Sequence, residues 1–293
     1  MFKIATIIPT FNRKNSLLHL LDIIFTQKAN DIELSIIVVA DGSTDGTQEA
    51  VRLNFPGVSI IEGNGNWWWT KSINKGCNLA IKNKIDAVLL LNDDIELHTD
   101  FFSHLYKAHL SNPLAVIGSL NLTRETPSRV FFSGASKLRW WDGKLIRYHS
   151  FLSPYEPVFS GLHPSIVLPG RGLFIPVDVF TKIGFFDEKN LPQYKADYDF
   201  VFRANEKEIP CLISWDTIIY NDVSSTGKGA TFTHGNFFKF LKSLFEKHSR
   251  TNLRTNFIYY KRHYPFSALL LFPFTAIIIS LRQVVSFFKD RKY

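Results

Sequence analysis

The chain has 293 residues, 45% of them hydrophobic and 20% charged, enough to bury a sizeable core and too apolar for long-range disorder. Two cysteines, Cys77 and Cys211, exclude a disulfide scaffold and a four-thiolate zinc site. The formal charge of +8 is uneven: residues 239–293 hold 11 Lys/Arg against 2 Asp/Glu and residues 1–238 hold 23 against 24, which excludes a surface coated in positive charge for nucleic acid.

Residues 4–8 (IATII) are too short for a secretory signal and stop at Pro9, so they predict a buried strand. Helical spacing follows over 16–26. A β-branched strand covers 34–40 and ends at Asp41-Gly42, a helix covers 44–53, and a third strand covers 58–62. Residues 73–82 predict a helix, 87–91 (AVLLL) a fourth strand, and 100–109 another helix. This alternation predicts a parallel sheet with crossover helices, an α/β fold. Three strands end in polar clusters, Pro9-Thr10-Phe11-Asn12, Asp41-Gly42-Ser43 and Asn92-Asp93-Asp94. Ligands of open α/β sheets bind beyond the carboxyl ends of the strands, so these clusters should line one site.

From 112 to 190 the pattern is broken by Ser, Gly and Pro and includes Trp140-Trp141. Helices are expected at 177–183 and 199–206, and short strands at 212–215 and 217–220. No domain boundary is visible before about 235, which suggests one unit over 1–235 and an extension over 236–293. The extension begins as a basic amphipathic stretch, 237–260. It continues as Pro265–Leu281, 17 residues without a charge, interrupted by Pro273. That is short for a membrane span, so an interfacial segment on an anionic membrane surface is the expected role, with a helix packed on the core as the plainer reading.

Two adjacent carboxylates, Asp93 and Asp94, repel each other and call for a cation such as Mg²⁺ or Mn²⁺, or else form a solvated strand-end turn. Asp41 can accept hydrogen bonds from a base or ribose, while Thr44 or Asp45 can cap the following helix. Asp197, in Tyr194–Asp199, is a candidate general base or a helix cap. Asp199 and Arg203, four apart, are suited to pair. Arg171, between Gly170 and Gly172, can meet a diphosphate or lie in a surface turn. The three tryptophans of Asn64–Thr70 cannot all face one core, so at least one should border the cleft and stack on a sugar ring or base, a purely structural role being the other reading.

Taken together, Thr6–Arg13 (TIIPTFNR), Ile36–Thr47, Asn66–Trp69, Leu89–Asp94 (LLLNDD), Gly170–Pro176 (GRGLFIP), Ile183–Glu188 and Tyr194–Arg203 resemble a family 2 glycosyltransferase with the GT-A fold over about residues 3–230. NWWWT and GRGLFIP further resemble a bacterial, rhamnosyltransferase-like subgroup that builds surface polysaccharides. The resemblance implies a mixed, Rossmann-like sheet flanked by helices, a nucleoside-diphosphate-sugar donor and inversion at the anomeric carbon. It assigns base and ribose contacts to Pro9, Thr10, Asp41 and Asp93, further donor contacts to Asn12, Arg13, Trp67 and Arg171, the metal to Asp94, and the acceptor-activating base to Asp197. A glycan or lipid-linked glycan acceptor at the cytoplasmic face of the membrane, met by a peripheral enzyme, completes the expectation. Two departures stand out. Asn221 occupies the place of a His that commonly assists the metal, with Asp222 or His234 as substitutes, and Ala196 replaces a common acidic residue before the base. A nucleotidyltransferase and a non-catalytic relative are the competing classes. The first lacks its Gly-rich loop here, since Pro9–Arg13 contains no glycine. Removing the chain beyond about 235 is expected to leave a soluble, donor-binding protein.

Overall fold

The computed structural model describes residues 1–27, 31–139, 143–222, 242–249, 251–264 and, in the tail, 270, 273–274 and 277–278. Trp140-Trp141, His234, the boundary near 235 and most of the apolar run 265–281 lie outside the described residues.

Four strands open the fold: β1 (Phe2–Thr10), β2 (Ile32–Asp41), β3 (Ser59–Gly63) and β4 (Ala87–Leu90). They alternate with α1 (Lys14–Thr26), α2 (Thr47–Asn54) and α3 (Trp68–Lys82). Then come β5 (Ile95–Leu97), α4 (Phe101–Ser111), β6 (Val116–Thr123), β7 (Val130–Phe132), β8 (Ala135–Arg139), β9 (Lys144–Arg147) and β10 (Leu162–Pro164). The chain continues through β11 (Leu173–Pro176), α5 (Val177–Ile183), α6 (Ala196–Glu206), β12 (Cys211–Asn221) and α7 (Leu253–His263).

The main sheet runs β10-β12-β6-β11-β4-β1-β2-β3, with β5 against β12 and β7 against β6. β1 shows why its apolar run is continuous: Ala5 and Ile7 face one core and Ile4 and Ile8 the other. The first core is closed by Ile73 and Cys77 of α3, Phe180 of α5, Phe200 of α6 and Tyr259 of α7. The second is closed by Leu17 and Leu21 of α1, Val51 of α2 and Phe101 and Leu105 of α4. Both cysteines are free and buried.

The parallel order predicted from alternation holds for β4-β1-β2-β3. It fails at β11, which lies antiparallel between β4 and β6. Apolar content announces a strand but not its direction, so the sheet is mixed, as the family resemblance implied. The reversal puts the start of β11 beside the carboxyl end of β4, with Leu173 opposite Leu90. Two further differences are local. The strands expected at 212–215 and 217–220 are one strand, β12, with an irregularity between Ser214 and Ile218. Helix α6 begins at Ala196 rather than 199, so Asp197 sits in its first turn.

Tyr259, Tyr260 and Tyr264 are buried in the first core. Helix α7 therefore packs on the first core of the sheet, although it lies beyond the division expected near 235.

Candidate functional site

The loops after β1 and β2 are fastened to each other. Asn12 adopts a left-handed conformation (φ 52°), its N–H donates to Ser43 Oγ at 3.1 Å, and its Oδ1 accepts from Thr44 N at 2.7 Å. Asp45 accepts from Lys14 N at the start of α1 (2.9 Å) and from Thr47 N at the start of α2 (3.2 Å), so one carboxylate serves two helix N-termini. Of the two caps considered from the sequence, Asp45 is the one used, and Asn12 works as a loop tie.

Asp41 is almost wholly buried and is held by its own neighbourhood. Its Oδ1 accepts from Gly65 N (2.7 Å) and its Oδ2 from Trp67 N (2.8 Å) and Trp68 N (2.9 Å). This shapes the loop after β3 and leaves Oδ1 with one lone pair for a ligand. Gly42 is required beside it: φ is +73°, and a Cβ there would stand 2.6 Å from Gly65 Cα. The three tryptophans diverge as their adjacency demanded. Trp69 packs edge-on against Phe186, centroids 5.8 Å apart. The Trp67 ring is flanked by Lys75 Nζ at 5.5 Å and Lys71 Nζ at 5.9 Å. Trp68, strained at φ 60°, is 41% exposed and stacks on His248 with centroids 3.6 Å apart.

The carboxylate pair lies beyond β4. Asp93 is buried, accepts from Thr10 Oγ1 at 2.7 Å, and joins the end of β1 to the end of β4. Burial raises its pKa to about 6, although Arg13 and Thr10 pull the other way. Arg13 Nη1 bridges the pair, 3.2 Å from Asp93 Oδ1 and 2.8 Å from Asp94 Oδ2. Burial disfavours the charge on Arg13, but the two carboxylates outweigh it and hold its pKa above the ordinary value. Asp94 Oδ1 is buried and accepts no hydrogen bond. Pro9 is the penultimate residue of β1 and sits two residues before the Phe11-Asn12 bend.

The second acidic site stands on the same edge of the sheet. Asp197 accepts from Gly170 N (Oδ2, 2.9 Å) and from Tyr198 N (Oδ1, 2.9 Å). Desolvation raises its pKa above the usual carboxylate value, against these two bonds and the nearby Arg171. Gly170 has no room for a side chain, because a Cβ would run into the Trp69 ring. Arg171 lies between the acidic sites and feels both Asp94 and Asp197, while burial lowers its pKa. Its Nη1 donates to Asn221 Oδ1 at 2.8 Å, and Asn221 Nδ2 is turned to Asn121 Oδ1 and Leu122 O, each at 3.3 Å. Asn221, in the place of the metal-assisting His, thus has its side-chain oxygen engaged by Arg171. The guanidinium also lies over the face of Phe131, 5.4 Å from its centroid.

Behind Asp197 the site is braced by residues whose role the sequence did not disclose. Lys195, left-handed at φ 69°, hydrogen-bonds Asn256 and lies 4.7 Å from the Tyr259 centroid and 5.2 Å from that of Tyr260. Asp199 is fully buried and pairs with Arg203 (2.9 Å), as its spacing predicted, and also with Arg262 (2.6 Å) and His263 (2.8 Å) of α7. Nothing in their sequence neighbourhood marks Arg262 and His263 except that they are polar residues just after the basic stretch 237–260.

A divalent cation fits this donor set. The unpaired, buried Oδ1 of Asp94 is a hard oxygen facing no donor, next to a second carboxylate. Among the described residues no group of three or more Asp, Glu, His or Cys is placed to hold a metal ion, so the protein would offer few ligands and leave positions for diphosphate oxygens and water.

The family described as glycosyl transferase family 2 matches residues 5–152. A comparison with curated proteins gave no match. Among solved structures, GalNAc-T7 with UDP, GalNAc and Mn²⁺ is 12% identical, covers 89% of this chain and 50% of its own, and superposes with a TM-score of 0.64. The mannosyltransferase PcManGT from Pyrobaculum calidifontis, in complex with GDP-Man and Mn²⁺, is 14% identical over 98% of this chain and 74% of its own, with a TM-score of 0.56. Residues 1–349 of S. aureus TarS are 16% identical over 75% of this chain and 60% of their own, with a TM-score of 0.52. The chain thus spans half to three-quarters of the length of these structures and shares their fold.

Proposed function

The chain belongs to glycosyl transferase family 2, and from that premise we propose that it transfers a sugar from a nucleoside-diphosphate donor to a hydroxyl of a glycan acceptor, inverting the anomeric carbon. The observation that carries this reading is the placement of Asp94 and Asp197 on one edge of the sheet, with Arg171 between them. The loops held by Asn12, Asp41 and Asp45 form the nucleotide side, and Thr10 orients Asp93 towards it. Asp94 would hold Mg²⁺ or Mn²⁺, whose positive charge stabilises the departing diphosphate. Arg171, fixed by Asn221, adds a guanidinium on the same side. Asp197 takes the proton from the acceptor hydroxyl as its oxygen attacks the anomeric carbon, and the bond to the diphosphate breaks on the opposite face. Desolvation makes Asp197 a stronger base than an exposed aspartate.

In this proposal the donor is a hexosyl or rhamnosyl nucleotide, the latter favoured by the NWWWT and GRGLFIP likeness, and the product belongs to a surface polysaccharide. Turnover of one member of a panel of UDP-, GDP- and dTDP-sugars, abolished by EDTA and restored by Mn²⁺ or Mg²⁺, is the expected result. Donor turnover unaffected by EDTA would remove the metal from the reading, and failure of the whole panel to bind would remove the transferase.

The acceptor is proposed to be lipid-linked at the cytoplasmic face, with the tail lying on the membrane surface. No helix among the described residues is long and apolar enough to cross a membrane. Leu270, Phe274 and Ile277, spaced four and three apart, are exposed, which supports an interfacial role beside the basic residues of the tail. The full chain is expected to sediment with vesicles containing anionic phospholipid and to release in high salt. Recovery in the supernatant at low salt would defeat this part.

A further inference from the structure

We propose that Arg13 is a resident counter-cation of the Asp93–Asp94 pair, which a divalent metal must displace and which the donor's diphosphate draws away, so that metal and donor bind cooperatively. The proposal rests on the metal-dependent transferase reading above and adds a control to its binding steps.

Four observations lead to it. Two neighbouring carboxylates at a strand end are tolerated only with a compensating charge, and a single nitrogen, Arg13 Nη1, touches both of them. It is satisfied at the oxygens Asp93 Oδ1 and Asp94 Oδ2, whereas Asp94 Oδ1 stays buried without a donor. The guanidinium therefore offsets one of the pair's two charges without filling the space between them, and a small divalent cation among the oxygens would do more. Third, the Arg13 side chain is 45% exposed while Asp93 and Asp94 are 7% and 15% exposed, so the arginine has an open side to move into and the carboxylates do not. Fourth, only the side chain needs to move. The Arg13 carbonyl accepts the first helical bond of α1 from Leu17 N at 3.0 Å, and Asn12 ties the preceding residue to Ser43 and Thr44.

A metal and a guanidinium cannot both sit in full contact with the same two carboxylates. A metal shared by both carboxylates of the free protein thus has to break the two charge-assisted hydrogen bonds of Arg13. A diphosphate arriving beyond β4 offers the displaced guanidinium new oxygens, and the cost of displacement falls. By linkage, nucleotide then tightens metal binding by the same factor as metal tightens nucleotide binding.

The test is Mn²⁺ binding to the full-length protein, read as loss of the free-ion EPR signal, without nucleotide and with UDP, GDP or dTDP at saturation. For the wild type, weak binding alone and tighter binding with one of the nucleotides is expected. Arg13→Gln is expected to bind Mn²⁺ about tenfold more tightly than wild type in the absence of nucleotide, and to show a smaller nucleotide effect. Arg13→Lys, which keeps the charge, should stay near wild type and controls for a general disturbance of the loop. Arg13→Gln binding Mn²⁺ as weakly as wild type, or more weakly, overturns the proposal while wild-type binding with nucleotide leaves the transferase reading intact. Absence of Mn²⁺ binding in every protein, with every nucleotide, overturns the proposal and takes Mn²⁺ out of the reading it rests on.

Discussion

Asp197→Asn is expected to lower turnover by about a thousandfold while leaving donor binding intact. The site predicts both halves of that result. Asp197 touches the chain through backbone donors, Gly170 N and Tyr198 N, and lies across Arg171 from the Asp94 side where the diphosphate is placed. An asparagine keeps one of these bonds and must turn its NH₂ towards the other donor, a local cost of about 1–3 kcal/mol that does not reach the loops after β1 and β2. Calorimetry with the donor and steady-state turnover separate the two effects. Wild-type-like turnover in the variant would dismiss Asp197 as the base. The pH profile gives a second handle. Desolvation raises the Asp197 pKa, and the base must be ionised, so kcat/KM should fall on the acid side through a limb lying above the usual carboxylate range. For stability the sign runs the other way. A raised carboxylate pKa means that ionising Asp197 above its unfolded value weakens the fold. Removing that charge offsets part of what the asparagine loses in hydrogen bonding at neutral pH.

Deleting residues 241–293 is expected to destabilise the protein by more than about 3–5 kcal/mol, the usual result of stripping partners from a buried charge. The basis is Asp199. Burial alone would push its pKa up, but hydrogen bonds and charge from His263, Arg203 and Arg262 prevail and hold it at about 2. The deletion removes Arg262 and His263, and with them Tyr259, Tyr260 and Tyr264 from the first core. It also takes Asn256 and the two aromatic faces from Lys195, two residues before the base. Urea unfolding of the full and shortened chains measures the loss, and Arg262→Ala reports the ionic part alone. Equal midpoints would mean that α7 is an appendage, as the expected boundary near 235 had it. The pH dependence has a definite sign. A depressed aspartate pKa contributes stability that is present above the unfolded value near 3.9 and disappears as pH falls towards 2, so full-length and shortened chains should converge in acid.

These two results mark where the sequence was readable and where it was not. Strand ends were readable, because an apolar run stopped by Asp41-Gly42 or Asn92-Asp93-Asp94 is a local pattern with a local cause. Hence the residues that stand at these strand ends were visible one by one. The use made of each residue was less so. Asp41 shapes the loop that carries Trp67 and Trp68, and Asn12 ties two loops together, because backbone N–H groups from distant segments reach them first. The direction of β11 could not be read, since GRGLFIP has the same pattern running either way. The basic tail was read as a surface for anionic lipid. Yet Arg262 turns inward to Asp187 and Asp199, and His263 to Asp199 and Glu206, partners 57 to 75 residues away that no spacing rule connects.

The antiparallel strand β11 also fixes an order of assembly during synthesis. The loops after β1, β2 and β4 have all been synthesised once Asp94 is added, whereas Gly170 and the partner strand of β4 come some eighty residues later. Until then β4 is an apolar strand with one unpaired edge, the kind of surface that invites wrong pairing. His263, 64 residues after Asp199, pairs with it and helps to steady the helix bearing Asp197. In the proposed reading, a growing chain can therefore complete the loops after β1, β2 and β4 well before Asp197 gains its support from α7.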